Sequence, residues 1–493
     1  KIGVLPNDNT TNFSDLSYNI YLPTNKAGTF TLFGFGGLSD QVFSPDKDST
    51  RWQERSDRYQ GKFISNTSMN GVTHSVLLND KLKISSAAGF SATKIAYNEK
   101  YTENDGSLTP NYIDEYSNRR FTVNTTLHYK FNKQLFLRSG LTYSAIYYKF
   151  YRLSAPHTGD PLQERLNSHG NTTTQQAFAQ LQFKPNNNIT VNGGLHYLRL
   201  AHNKTFAIEP RFSARWNISN RSSIGMGYGL HSQLQTLNVY FAQLQLPNGS
   251  IVMPNKNLGL TRSHHYVLSY NYRLAANMQL KTELYYQQLF NVPVATHDSS
   301  TLSALNVEFD YITDPLVNKG KGRNYGVEIS LERHLHHNFY LMLSNSLYQS
   351  KYKAIDGIER NTRFNGNYIF TFISGKEFIN NRKTKTLGVN IKTIYAGGFR
   401  TTPVDVAASQ TNGYTVYKEL EAFRNQNPAY FRTDVRFSIQ WNRKAFTSTL
   451  SLDIQNVTNR LNVFNQQYNV VKDKVEYNYQ TGLIPILNYK IEF

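Results

Sequence analysis

Cysteine is absent from all 493 residues, which rules out a disulfide framework, a thiolate metal site and a thiol nucleophile. Long apolar runs are missing too. No stretch approaches about 18 consecutive apolar residues, and a mean hydropathy of −0.52 excludes membrane-crossing helices. Hydrophobic residues make up only 39% of the chain, below the roughly 45–50% of soluble domains. A length that would normally suggest about two to four domains therefore lacks the apolar core to fill them. Helical periodicity is almost missing. The chain opens at Lys1 without an initiator Met, an apolar signal segment or a small-residue cleavage site, as expected of an internal or processed start.

Aromatic rings, by contrast, are abundant. They reach 14%, with 34 Tyr and 30 Phe, too many for a disordered chain. A large membrane barrel reconciles few aliphatics with many rings, because it buries rings against lipid and fills its lumen with polar side chains and water. The formal charge is +19, a value also found on nucleic-acid-binding surfaces. The basic residues, however, are spread along the chain at alternate positions of strand-like segments. The expectation is a positive lumen and positive loops near acidic lipid headgroups, with no nucleic-acid partner.

Period-two alternation recurs in segments of about ten residues. In 431–441, Phe431, Thr433, Val435, Phe437, Ile439 and Trp441 share one face, and Arg432, Asp434, Arg436, Ser438 and Gln440 the other. After the turn Asn442-Arg443-Lys444, Phe446, Ser448, Leu450, Leu452 and Ile454 alternate with Thr447, Thr449, Ser451, Asp453 and Gln455. The same pattern runs through Leu141, Tyr143 and Tyr147, through Phe212, Ala214 and Trp216, and through Tyr325, Val327, Ile329 and Leu331. Roughly 19 such strands are too many for a soluble sandwich and suit a transmembrane antiparallel barrel of the bacterial outer-membrane type.

The connections alternate in length. Tight polar turns are expected at 24–27, 79–81, 131–133, 185–188, 219–222, 274–277 and 334–338, with long loops at 39–57, 99–116, 154–170, 235–257, 292–321, 397–428 and 458–482. A short hairpin at 201–205 is the exception among the loops. Short turns mark the periplasmic side and long loops the outer side. The first strand, near 15–22, and the last, near 483–493, then both run toward the periplasm, so an even-stranded closed barrel needs an odd number of strands before Lys1. Three would give about 22, the size of plugged transporters. At the other end Phe493, Ile491 and Tyr489 share a face opposite Glu492 and Lys490, and form the expected membrane-insertion signal.

Several stretches resemble the TonB-dependent receptors, in particular the branch with a carboxypeptidase-regulatory-like N-terminal domain. Among them are Asp15-Leu16-Ser17-Tyr18-Asn19-Ile20, Asn324-Tyr325-Gly326-Val327-Glu328, Asn361-Thr362-Arg363-Phe364-Asn365, Gly398-Phe399-Arg400-Thr401-Thr402-Pro403 and Asp453-Ile454-Gln455-Asn456-Val457-Thr458-Asn459. The resemblance implies a 22-stranded barrel occluded by a plug. Such a barrel imports scarce or bulky nutrients with energy from TonB, ExbB and ExbD, is inserted by the barrel assembly machinery, and in some cases is covered by a surface lipoprotein lid. Residues 1–493 then form the C-terminal part of one barrel, with the plug and first strands absent from this chain. The rival classes are a structural or secretion-associated barrel that does not use TonB, and a soluble adhesin-like sandwich array.

Ligand contacts in such a barrel are expected from aromatic and basic pairs in the long loops: Arg51 with Trp52, Tyr240 with Phe241, Phe399 with Arg400, and Tyr414 with Tyr417. Rings stack on sugars, peptides or flat chelates, and an arginine fork clamps anions. The plainer role of each is loop packing or an interfacial girdle. His334, His336 and His337 sit in a short turn without carboxylate companions, and His264 and His265 point to opposite faces of a strand, so no metal site is expected. Asp434 and Asp453 among Arg432 and Arg436 read as charge balance in a polar lumen. No nucleophile elbow, phosphate loop or zinc-binding helix is present, so neither an enzyme nor a cofactor is expected.

Overall fold

In the computed structural model the described residues are 11–45, 48–52, 55–155, 160–307, 311–469 and 472–493. Twenty strands join into one continuous antiparallel sheet. The three-residue strand Glu359–Asn361 and the strand Tyr368–Ile379 pair with the same neighbour, Phe339–Lys353, and occupy one lane. The wall therefore has one lane fewer than its strands, as the alternation predicted. Long strands carry most of it, among them Tyr59–Asn79, Leu82–Thr102, Leu108–Lys130 and Leu316–His336. Each lane of the wall pairs with the next along the chain, an antiparallel meander that needs no crossover connection.

Cross-strand register turns the sequence alternation into rows. Val389, Phe437, Leu452 and Leu487 stand side by side across four strands, and so do Ile391, Val435, Ile454 and Pro485. The intervening rows are polar: Gly388, Ser438, Ser451 and Asn488, then Asn390, Arg436 and Asp453. Because the side-chain period is two, a slip of one residue would put arginines in lipid and phenylalanines in the lumen, which fixes the register. On the lumen face Gln182 donates to Asn192 (3.0 Å) and Asn192 to Ser213 (3.1 Å). The Arg432 Nε–Asp434 pair at 2.6 Å and the Arg436–Asp453 pair at 3.4 Å supply the charge balance read from the sequence. On the outer face Tyr228, Tyr266, Tyr286 and Tyr325 follow one another at ring separations of 5.3, 6.4 and 6.4 Å, an aromatic belt of the kind found at membrane interfaces.

Both ends of the sheet are open. Among the described residues Thr11–Thr24 pairs only with Gly28–Phe43, and Ile484–Glu492 only with Thr447–Gln455. Phe493 follows the last strand, fully exposed, with its ring 6.3 Å from that of Phe446. Tyr489 and Ile491 share the apolar outer face, opposite Leu450 and Ser448.

The tight turns fall where the sequence placed them, although strand pairing continues to His336, which leaves 337–338 as the turn. The expected loop at 99–116 shrinks to 103–107. Its polar residues instead extend the wall: Glu99 faces Tyr112, and the Glu99 carboxylate accepts bonds from Tyr97 Oη (2.6 Å) and Asn111 Nδ2 (2.5 Å). An outer connection at 354–367 had no counterpart in the expected loops.

Charge is distributed differently from the expectation of positive loops. Lys26, Lys81, Lys133, Lys184 and Arg221 each occupy a periplasmic turn, and two turns hold the pairs Arg382-Lys383 and Arg443-Lys444; Asp80 is the single carboxylate in these turns. In the outer connections carboxylates outnumber lysines and arginines.

Among the described residues, the buried apolar side chains lie toward the outer end. The largest cluster joins the lumen-facing Ile146, Phe150, Leu166 and Leu200 to Leu237, Tyr240, Phe241 and Leu258 of one loop and Ile312 of another. The loops thus fold back into the mouth of the barrel.

Candidate functional site

Four outer segments converge at the mouth: the loops 296–315, 354–367, 397–429 and 456–483. The last carries a hairpin, Val463–Asn469 with Lys474–Tyr479. This hairpin is tied to the loop 397–429 by Gln466 Nε2 donating to Asn427 Oδ1 (2.9 Å) and Tyr417 Oη donating to the Gln466 carbonyl (3.3 Å). Within the same loop Asp405 caps the helix Val406–Asn412 through Ala408 N (3.1 Å), and Gly413 ends it at φ 69°, the left-handed conformation glycine adopts without strain.

The segments enclose a cavity of about 350 Å³, within the size range of small-ligand sites. Phe399, Tyr417, Phe423 and Phe464 supply rings to its lining, and Arg363, Arg400 and Asn306 supply donors. The local sequence explains the position of Arg400. A Cβ on Gly397 or Gly398 would run into the carbonyl oxygen of Gly366 or of Asn427, so only the Gly-Gly pair lets the chain pass close enough for Arg400 N to donate to the Arg363 carbonyl (2.8 Å).

The Arg400 guanidinium is held entirely by neutral oxygens: the Asn365 carbonyl (3.1 Å), Asn367 Oδ1 (2.9 Å) and the Arg424 carbonyl (3.5 Å). Among the described residues no carboxylate lies within ion-pair distance of it. Burial pushes its pKa down from the ordinary arginine value but leaves it charged at neutral pH. Beside it, Asn306 Oδ1 accepts from Arg363 N (3.0 Å), whereas Asn306 Nδ2 is shielded from solvent and has no partner among the described residues. A buried donor without an acceptor is costly. The lining also carries one carboxylate, Glu419, against the two guanidinium groups of Arg363 and Arg400, so the net positive charge and the spare donor together favour an oxygen-rich anion. Burial also pushes the Tyr417 phenol up, so that it remains a neutral donor.

The sequence profile of the family described as TonB dependent receptor-like, beta-barrel matches residues 3–457. The chain belongs to this family. This TonB-dependent receptor barrel is accordingly an outer-membrane protein that crosses the bilayer with strands. Solved structures of similar fold include the ferric-catecholate import receptor Fiu from Escherichia coli K12 (TM-score 0.69, 13% identity, 98% of this chain and 75% of that one) and the ferric preacinetobactin receptor BauA from Acinetobacter baumannii (0.63, 12%, 98% and 72%). The RagAB peptide transporter is also similar (0.63, 10%, 91% and 68%). At these identities the likeness is one of fold. No curated protein matches the chain.

Three of the expected contact residues of the receptor barrel, Phe399, Arg400 and Tyr417, line this one cavity. Tyr414 is half-buried in the same loop, outside the lining. Tyr240 and Phe241 lie elsewhere: they are 0% and 5% exposed, and Phe241 stacks on Tyr148 at 4.5 Å, so their rings pack the loop cluster. Trp52 carries the Arg58 guanidinium 5.1 Å over its ring in a separate loop; the Arg51 side chain lies outside the described residues. Arg363, Asn306, Phe423 and Phe464 were not foreseen. Arg363-Phe364 and Phe423-Arg424 carry the same basic–aromatic pairing used to find the others; 354–367 had not been recognised as a loop, whereas Phe423-Arg424 lay in the expected loop 397–428 and was not singled out.

A second polar cluster braces the wall. Glu209, 1% exposed, accepts from Arg211 Nη2 (2.7 Å) and Ser232 N (2.8 Å), and His196 Nδ1 lies 2.8 Å from it. With each oxygen satisfied, this carboxylate ties adjacent strands together and offers no open position to a ligand.

Proposed function

We propose that this chain forms the wall and the outer ligand site of an importer that takes up a compact, oxygen-rich anionic nutrient with energy delivered by TonB. The carrying observation is the Arg400 guanidinium, charged and held only by neutral oxygens in a ring-lined cavity. Arginine forks recognise carboxylate-type oxygens in pairs, Asn306 Nδ2 offers one more donor, and the four rings contribute stacking surface. In this account the open edges at Thr11–Thr24 and Ile484–Glu492 belong to a barrel completed by further strands and occluded by a plug.

Ferric citrate and a ferric catecholate, the cargoes named for two structures of similar fold, serve as anionic probes in titration calorimetry of the receptor. At least one should bind, and Arg400→Ala should weaken it tenfold or more, since a hydrogen bond to a charged group contributes about 1.5–3 kcal/mol. Cells lacking TonB should fail to accumulate the bound probe. Binding indifferent to Arg400 would overturn the site, and uptake indifferent to TonB would favour a barrel of another class.

A further inference from the structure

Among the described residues, the basic side chains of the periplasmic turns are not neutralised by the protein's own carboxylates. Among the described residues, none of the lysines and arginines in these turns lies within ion-pair distance of a carboxylate, and all are exposed. Arg443 rests its guanidinium 5.2 Å over the Phe446 ring, which leaves its charge unneutralised. Directly inside several of them, on the outward face, sit exposed apolar side chains: Phe183, Trp216 and Phe378, 44%, 53% and 55% exposed. Apolar side chains at the ends of spanning strands mark where hydrocarbon gives way to headgroups. The cations one to a few residues further on therefore stand at headgroup depth.

Their spacing identifies the partner. A folded protein would meet one patch of the rim; here cations recur in seven of the nine described periplasmic turns, from 25–27 to 443–446, and are missing only at 276–277 and 337–338. Only something that surrounds the barrel contacts all of them. The opposite end, where carboxylates outnumber cations, has no such ring. We propose that the periplasmic rim is a binding surface for anionic phospholipid, whose headgroup phosphates neutralise this ring and hold the barrel at a fixed depth in the periplasmic leaflet.

The test is native mass spectrometry of the receptor released from bilayer nanodiscs containing equimolar phosphatidylglycerol and phosphatidylethanolamine. A Lys or Arg near an anionic surface favours binding by about fivefold, so retained lipid should be enriched in phosphatidylglycerol by at least about that factor. A triple variant, Arg382→Glu, Lys383→Glu and Lys444→Glu, should lose most of the enrichment. An equal charge change at the outer end, Lys204→Glu, Lys256→Glu and Lys418→Glu, should keep it.

Should the rim variant fail to assemble, the wild-type protein still decides. Raising ionic strength from about 0.01 M to about 1 M, which shortens screening from ~30 to ~3 Å, should remove the preference. No enrichment in the wild type, enrichment insensitive to salt, or equal loss in both triple variants would overturn the proposal. So would displacement of the lipid by soluble polyglutamate, which would mark the rim as a site for an acidic polypeptide.

Discussion

Replacing Phe437 with lysine puts a charge on the lipid face of the wall. Phe437 lies about six residues before the periplasmic turn; at ~3.4 Å per residue that is ~20 Å along the strand. A tilt of about 45° reduces this to ~14 Å of depth, near the middle of an apolar band about 25 Å tall. Its row neighbours, Val389 and Leu452, offer no counter-charge. The charge should cost about 2–4 kcal/mol at that depth, and removal of a ring that is 47% exposed to lipid adds up to about 1.5–3 kcal/mol. Ser438→Lys, one residue on, enters the lumen beside Gly388 and Ser451 and should cost under about 1 kcal/mol. The assay is reversible guanidinium unfolding of the receptor in lipid vesicles, comparing the two variants. Equal penalties, or a larger one at Ser438, would show that the faces are reversed and that the row assignment fails.

Two further outcomes follow from particular residues. Removing Phe493 should lower the amount of heat-modifiable, membrane-inserted receptor in cells, whereas Glu492→Ala should not; equal amounts of both would argue against the terminal aromatic as an insertion signal. His202, in the outer hairpin, is packed 4.6 Å from the Phe241 ring with its Nε2 unpartnered, and burial first and Lys256 second lower its pKa. The opened loop, with an ordinary value of about 6.5, binds the proton more readily than the packed one. The packing is therefore fully stable above about pH 6.5 and weakens as pH falls toward the depressed folded value. Hydrogen exchange across 234–260 should accelerate between about pH 7 and 5 in the wild type and stay flat in His202→Phe; identical pH profiles would refute it.

The wall was legible because period-two alternation is set by strand geometry alone: Phe431 to Trp441 needs no tertiary context to declare its two faces. The turns were legible because Asn, Lys and Ser clusters break the pattern where hairpins must close. The outer end was not. The segment 99–116 looked like a loop because residues such as Glu99 and Asn111 are polar, yet Asn111 and Tyr97 both donate to Glu99 across two paired strands that extend the wall. The pairs Tyr240-Phe241 and Phe399-Arg400 are alike in sequence. One is buried and the other lines a cavity because of which loops fold over them, and that is decided by contacts hundreds of residues apart, such as Tyr311 Oη donating to Asp114 at 2.8 Å. Phe399 and Arg400 were found by composition. Asn306 could not have been, since its unpartnered nitrogen exists only once Arg363 has taken its oxygen.

The most direct test of the account uses the absence of cysteine. Single substitutions Asp298→Cys, in an outer loop, and Asn187→Cys, in a tight turn, are introduced into the cysteine-free receptor, and intact cells are treated with a membrane-impermeant maleimide. The account predicts labelling at position 298 in intact cells and at 187 only after the outer membrane is opened. Labelling of both positions in intact cells, or of 187 alone, would contradict an outer-membrane barrel whose long loops face outward.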